Sequence, residues 1–150
     1  MTKEFSLEGK VIVVTGGTGI LGEAFIHGIA DAGGTVGILG RNEKVANERV
    51  DAIIAKGGKA IALIADVTAK EQLENAKEKI LNAFGKIDGL VNAAGGNVPG
   101  AVVKPGENIF DLNMNALKEV MDLNLFGTVL PTQVFGEAIQ KNGKGSIVNI

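Results

Sequence analysis

The sequence predicts an α/β protein in which a doubly wound parallel sheet lies between two layers of helices. Short apolar runs alternate with longer stretches of helical period, a rhythm that produces parallel strands joined by crossover helices. A glycine cluster sits where the first apolar run passes into the first helical pattern. At 150 residues and 45% hydrophobic content, the chain is long enough to bury one core, so a single domain over 1–150 is expected.

The first strand is expected near Lys10–Thr15, followed by a helix carrying Leu21, Phe25 and Ile29 on its inner face. A second strand at Thr35–Leu39 precedes a helix marked by Val45, Val50, Ile53 and Ile54. The third is expected at Ala60–Ala65, before a helix with Leu73, Ala76, Ile80 and Phe84. Thr68 and Glu71 fit a capping box at that helix's start. Gly33-Gly34, Gly57-Gly58 and Gly85 lie where helix ends favour glycine. A fourth strand is expected at Gly89–Asn92, and 96–109, with Pro99, Pro105 and several glycines, reads as a substrate-facing or mobile loop. A long helix from Asn113 to Gln140 is expected to kink or break at Pro131, which lacks a backbone donor. The last strand, Ser146–Ile150, reads as a buried parallel strand that stops without a turn or capping helix, so the sheet is expected to be truncated after its fifth strand.

Bulk properties exclude several classes of function. Charges are interspersed and sum to -2, which argues against a basic nucleic-acid surface and a polybasic membrane patch. Residues 1–10 include Lys3, Glu4, Glu8 and Lys10 and have no apolar core, unlike a secretory signal. No stretch approaches the roughly 20 apolar residues of a membrane span. With no cysteine and only His27 as histidine, neither a disulfide framework nor a metal site is expected. The expectation is a soluble, cytoplasmic protein whose partner is a small molecule.

Gly17, Gly19 and Gly22 match G-x-G-x-x-G directly after a strand and at the opening of a helix. That context makes a phosphate cradle: the glycines allow a tight turn and close backbone approach, while the helix offers its positive end to the anion. A glycine-rich turn with no ligand is the competing reading. The second strand ends in Gly40-Arg41, where a dinucleotide site often carries an acid for the ribose 2′-hydroxyl. Arg41 there can meet a 2′-phosphate, favouring NADP with NAD as the lesser option, or be an ordinary exposed arginine beside the helix cap Asn42. Asp66-Val67 either meets adenine or serves the turn into the third helix. Val91-Asn92-Ala93-Ala94-Gly95 closes the fourth strand, with small residues that admit a ribose and nicotinamide; Asn92 can equally satisfy backbone groups between strands. Asn124 is either a paired structural amide or the holder of a water.

Taken in order, Thr15-Gly16-Gly17-Thr18-Gly19-Ile20-Leu21-Gly22, Asp66-Val67, Asn92-Ala93-Ala94-Gly95 and Asn124 resemble the short-chain dehydrogenase/reductase family over nearly the whole chain. The resemblance implies a Rossmann-like sheet, a nicotinamide cofactor, carbonyl–alcohol hydride transfer, and a dimer or tetramer formed through the long helix. It also implies that Thr15 to Gly22 bind the cofactor phosphates, that Asp66 and Val67 lie by adenine, and that Asn124 anchors a water in a proton relay. Ile20 stands where the family's middle glycine belongs, so the spacing is closer to the extended branch. Asp66-Val67 and Asn124 are features of the ordinary branch, to which the chain is assigned. Ala93 replaces the commoner second asparagine of N-N-A-G. The chain contains no tyrosine, whereas the family's general acid/base is the tyrosine of Y-x-x-x-K, helped by a serine. These implied residues lie beyond Ile150, so 1–150 alone is expected to lack turnover, and the alternative is a non-catalytic dinucleotide-binding module. The segments 96–100 and 108–113 are similar to mannonate oxidoreductases and fructuronate reductases. A sugar acid would suit Asn97 and Lys104 as contacts, which otherwise are solvated loop residues.

Overall fold

The computed structural model describes residues 5–150, so the first part of the amino-terminal stretch lies outside the described residues. Five strands form one parallel sheet: β1 (Val11–Thr15), β2 (Thr35–Gly40), β3 (Lys59–Ile64), β4 (Gly89–Asn92) and β5 (Ser146–Asn149). Their order across the sheet is β3-β2-β1-β4-β5. Helices α1 (Ile20–Asp31) and α2 (Glu43–Ala55) connect β1 to β2 and β2 to β3; α3 (Lys70–Phe84) leads to β4. After β4 come short 3-10 turns at Pro99–Ala101 and Ile109–Asp111, then α4 (Met114–Met121), a π turn (Asp122–Phe126) and α5 (Gly127–Lys141).

Successive strand residues face opposite sides of the sheet, and each side has its own core. Val11, Val13, Leu39 and Leu63 pack with Leu73, Ala76 and Ile80 of α3 and Val134, Phe135 and Ala138 of α5. Val14, Val36, Ile38 and Ala62 pack with Ile26 of α1 and Ala46 and Ile53 of α2. These are the three layers expected of a strand pattern apolar on both faces. Beyond β1 the strand order reverses, with β2 on one side and β4 on the other. The carboxyl ends of β1 and β4, where Thr15 is in register with Asn92, therefore flank the crevice in which open α/β sheets bind ligands.

Strand positions agree with expectation to within a residue, and Gly33, Gly57 and Gly85 take positive φ of 87°, 83° and 77° after their helices. Other expectations are corrected. The last strand is not buried: β5 stands at the edge of the sheet, with Ile147 and Val148 39% and 48% exposed. Leu21 is 63% exposed; α1 instead buries Gly22 and Ile26, because a backbone contact at Gly22 turns that side of the helix to the sheet. On α2, Ile54 likewise faces solvent while Ala46 is buried. The Thr68–Glu71 capping box does not form: the N-cap of α3 is Ala69, and Thr68 donates through its N–H and hydroxyl to Asp66 Oδ1 at 2.8 and 2.6 Å. A near carboxylate has captured the threonine in an Asx turn, removing it from capping.

The long helical stretch departs from α geometry at Asp122–Phe126, whereas Pro131 lies buried inside α5. A proline cannot donate one turn back. The irregularity thus stands ahead of the proline, in the turn that precedes α5, and the expected break at residue 131 is absent.

Candidate functional site

Three backbone segments meet at the crevice, and glycine makes their approach possible. Gly16 has φ of 65°, and a Cβ on it would lie 2.6 Å from the Ala93 carbonyl. A Cβ on Gly22 would collide with the Gly16 carbonyl, so the start of α1 is pressed directly onto the loop. A Cβ on Gly17 would reach Ile38 at 2.9 Å, while one on Gly19 would have only the Gly16 carbonyl close by, at 3.2 Å. The loop is thus a bare-backbone cradle at the positive end of a helix, suited to an anion.

Thr15 is fully buried, and its hydroxyl accepts the N–H groups of Ala93 and Ala94 at 3.0 and 3.1 Å. That hydroxyl joins the end of β1 to the segment after β4. Asn92, 2% exposed, donates to Thr132 Oγ1 at 2.9 Å and to Asn149 Oδ1 at 2.8 Å, holding β4 to α5 and β5. Asn42 caps α2, its Oδ1 accepting the Val45 N–H at 3.1 Å.

A cleft of about 230 Å³ is lined by Gly16, Thr18, Gly19, Gly40, Arg41, Ala65, Asp66, Val67, Ala93, Ala94, Gly95 and Leu123. The structure thereby gathers the glycine loop, the ends of β2, β3 and β4 and the π turn at one place. At Gly40 a Cβ would strike the Thr18 side chain, which leans across the end of β2. The exposed Arg41 guanidinium stands 3.6 Å from Asp66 Oδ2. Both Thr68 donors hold the Asp66 carboxyl below its ordinary pKa, and the Arg41 charge adds to this. The cleft therefore brings a carboxylate paired with an exposed cation together with the bare backbone of the glycine loop.

Asn124 lies in the π turn and uses its amide on the loop after β4. Its Oδ1 accepts the Gly96 N–H at 3.1 Å, and its Nδ2 donates to the carbonyls of Gly96 and Val120 at 2.7 and 2.8 Å. Asn97 does not line the cleft; it is exposed, and its Oδ1 accepts the neighbouring Val98 N–H. Ile20 is 91% exposed, as befits a side chain at the first helical position pointing away from the loop. Among the described residues no group of three His, Asp or Glu could hold a metal ion, and no helix is long and apolar enough to cross a membrane.

Residue-type reasoning missed Arg49. From α2 it donates to the Gly17 and Gly19 carbonyls at 2.6 and 2.9 Å and to Glu23 Oε2 at 2.8 Å. It lies some 30 positions from the loop in no recognised motif, and its helical neighbours read as an exposed charged face.

A family model described as short chain dehydrogenase matches residues 10–150. An uncharacterised oxidoreductase of Bacillus subtilis, UxuB, is 38% identical over 153 residues, covering 97% of this chain and 55% of its own length. A Haemophilus influenza protein solved with bound NAD, provisionally described as a D-mannonate oxidoreductase, is similar at TM-score 0.87 and 31% identity, over 97% of this chain and 56% of that one. The 7α-hydroxysteroid dehydrogenase complexed with NADH and 7-oxo glycochenodeoxycholic acid is similar at TM-score 0.86 and 32% identity, over 100% of this chain and 56% of that one. The chain spans about half the length of these proteins.

Proposed function

The chain belongs to the short chain dehydrogenase family, and from that premise we propose that residues 1–150 are the cofactor-binding part of an oxidoreductase that prefers NADP to NAD and acts on a sugar acid. The observation that carries this reading is the crevice at the strand-order reversal, where bare glycine backbone faces the Arg41–Asp66 pair. The residues fit a dinucleotide: Gly16, Thr18 and Gly19 would hold the diphosphate, Asp66 and Val67 the adenine, and Ala93 to Gly95 the second ribose.

A bound nicotinamide supplies the hydride acceptor or donor for alcohol–carbonyl interconversion. The chain's own residues bind and orient it. Thr15 fixes the segment after β4 against the cradle, and Asn124 holds Gly96 at the edge of the same cleft. Preference for NADP is supported by Gly40-Arg41 at the end of β2, which puts a cation where a carboxylate would repel a 2′-phosphate. The sugar-acid class is supported by likeness to the NAD-bound Haemophilus influenza protein. A homo-dimer or homo-tetramer is supported by exposed Met121, Leu125, Phe126 and Val129 along the long helical stretch.

Titration of the full-length protein with NADPH and NADH, followed by turnover with aldonates and their keto forms, tests the proposal. Tighter NADPH binding and sugar-acid oxidation are expected. Binding of neither cofactor would overturn the assignment of the site, and equal binding of both would overturn the preference.

A further inference from the structure

The glycine loop is held from behind by a side chain on another helix. Arg49 is largely buried, with 14% of its side chain exposed; its Nη1 donates to both the Gly17 and Gly19 carbonyls, while its Nη2 donates to Glu23 in the first turn of α1. Among the described residues no backbone N–H donates to the Gly17 carbonyl, and Arg49 is its partner. The Gly19 carbonyl also accepts the Glu23 N–H of α1 at 3.0 Å, so the guanidinium reads both the loop and the helix start.

Peptide planarity turns this clamp into an orientation of donors. All peptides here are trans, and in a trans peptide the C=O of one residue and the N–H of the next point in opposite directions. Carbonyls 17 and 19 drawn towards Arg49 therefore send the N–H groups of Thr18 and Ile20 the other way. Neither has a backbone acceptor among the described residues, and Thr18 lines the cleft while Arg49 does not.

We propose that Arg49 is a positioning residue for diphosphate recognition: by holding the Gly17 and Gly19 carbonyls it aims the Thr18 and Ile20 N–H groups at the ligand and places a cation behind the positive end of α1. The inference rests on the reading of the cleft as a dinucleotide site. A lysine would replace it only in part, because a single ammonium cannot hold the two carbonyls with one nitrogen and the Glu23 carboxylate with a second, as the guanidinium does.

The full-length protein and its Arg49→Gln, Arg49→Lys and Glu23→Gln variants are titrated by calorimetry or NMR with ADP-ribose, which carries the diphosphate, and with adenosine, which does not. Arg49→Gln is expected to weaken ADP-ribose by about 10- to 100-fold, the worth of a few charge-assisted hydrogen bonds, and to leave adenosine within about twofold. Arg49→Lys is expected to recover part of the loss, and Glu23→Gln to lose less than Arg49→Gln. Unchanged ADP-ribose affinity with a lowered melting temperature would make Arg49 merely structural, and equal weakening of both ligands would show a general disturbance of the cleft; either overturns the proposal. If Arg49→Gln does not fold, Arg49→Lys decides it, with about fivefold or greater selective weakening expected and none overturning it. Failure of the unmodified protein to bind ADP-ribose would instead remove the dinucleotide reading itself.

Discussion

Asn124 grips Gly96 by both halves of its backbone, accepting its N–H at 3.1 Å and donating to its C=O at 2.7 Å. An amide is the side chain that can do this, since it presents one acceptor and two donors in a plane. Space is as tight as the bonding: a Cβ on neighbouring Gly95 would lie 2.7 Å from the same Asn124 oxygen.

Replacing Asn124 with alanine releases this junction. A loss of about 1–2 kcal/mol is expected from a set of partly solvated hydrogen bonds, read as a lower urea midpoint, with faster amide exchange at Gly96. Asn124→Asp keeps the acceptor but aims a carboxylate at a carbonyl. It should therefore be at least as destabilised at neutral pH and recover in acid as the carboxyl takes up a proton.

Arg41 tests cofactor choice. Arg41→Ala is expected to weaken NADPH by about 10- to 150-fold, the worth of charge-assisted hydrogen bonds to a 2′-phosphate, and to change NADH by much less. Paired titrations of both cofactors against both proteins measure it. Equal losses would mean that Arg41 matters through Asp66 and not through the phosphate.

Gly22 tests the cradle. In Gly22→Ala the new methyl group meets the Gly16 carbonyl, which is backbone and cannot swing aside. A cost of about 1–3 kcal/mol is expected from such overpacking, together with weaker dinucleotide binding, because relief requires α1 to move from the loop. Gly28, also in α1, has open space at its Cβ position. Gly28→Ala should be neutral or stabilising by up to about 1 kcal/mol from helix propensity.

Asp88 tests acid stability. It lies at the opposite end of the sheet from the cleft, accepting the Val11 N–H at 2.9 Å, with Lys86 at 2.9 Å and Lys10 at 3.7 Å. Burial alone would raise its pKa, but these donors outweigh it and hold the carboxyl below its ordinary value. A depressed native pKa stabilises the fold above the unfolded value near 4, and that contribution is lost as pH falls through the native one. Asp88→Asn is therefore expected to flatten the fall of melting temperature below about pH 4, while Asp66, whose pKa is also lowered, keeps part of the slope.

The sequence reveals the fold through period and punctuation, and both are local. Val11–Thr15 reads as a strand because both its faces are apolar, and Gly33, Gly57 and Gly85 end helices because positive φ favours glycine. The cradle is equally local, since its glycines are near neighbours. What the sequence conceals is settled by distant partners. Arg49 looks like one more charge on an exposed helix until α2 packs beside the loop. Thr68 looks like a cap until Asp66 takes its donors. Leu21 fits the apolar face of α1 until the close approach of Gly22 to Gly16 rotates that face. Asn124 is conspicuous as a polar residue in an apolar run, but its partner Gly96 is 28 positions away.

The π turn at Asp122–Phe126 amounts to one surplus residue within an otherwise α-helical count. Helical phase advances by roughly 100° per residue, so an insertion elsewhere in the stretch would rotate Val134, Phe135 and Ala138 out of the sheet's core. Widening one turn absorbs the surplus locally and leaves both flanks facing as they did. Deleting a residue within 122–126 should therefore be better tolerated by the core than a deletion in α4 or α5, because the turn can close to ordinary α geometry. The loss would fall on Asn124's reach to Gly96, so an indel that spares folding would cost the cleft its edge.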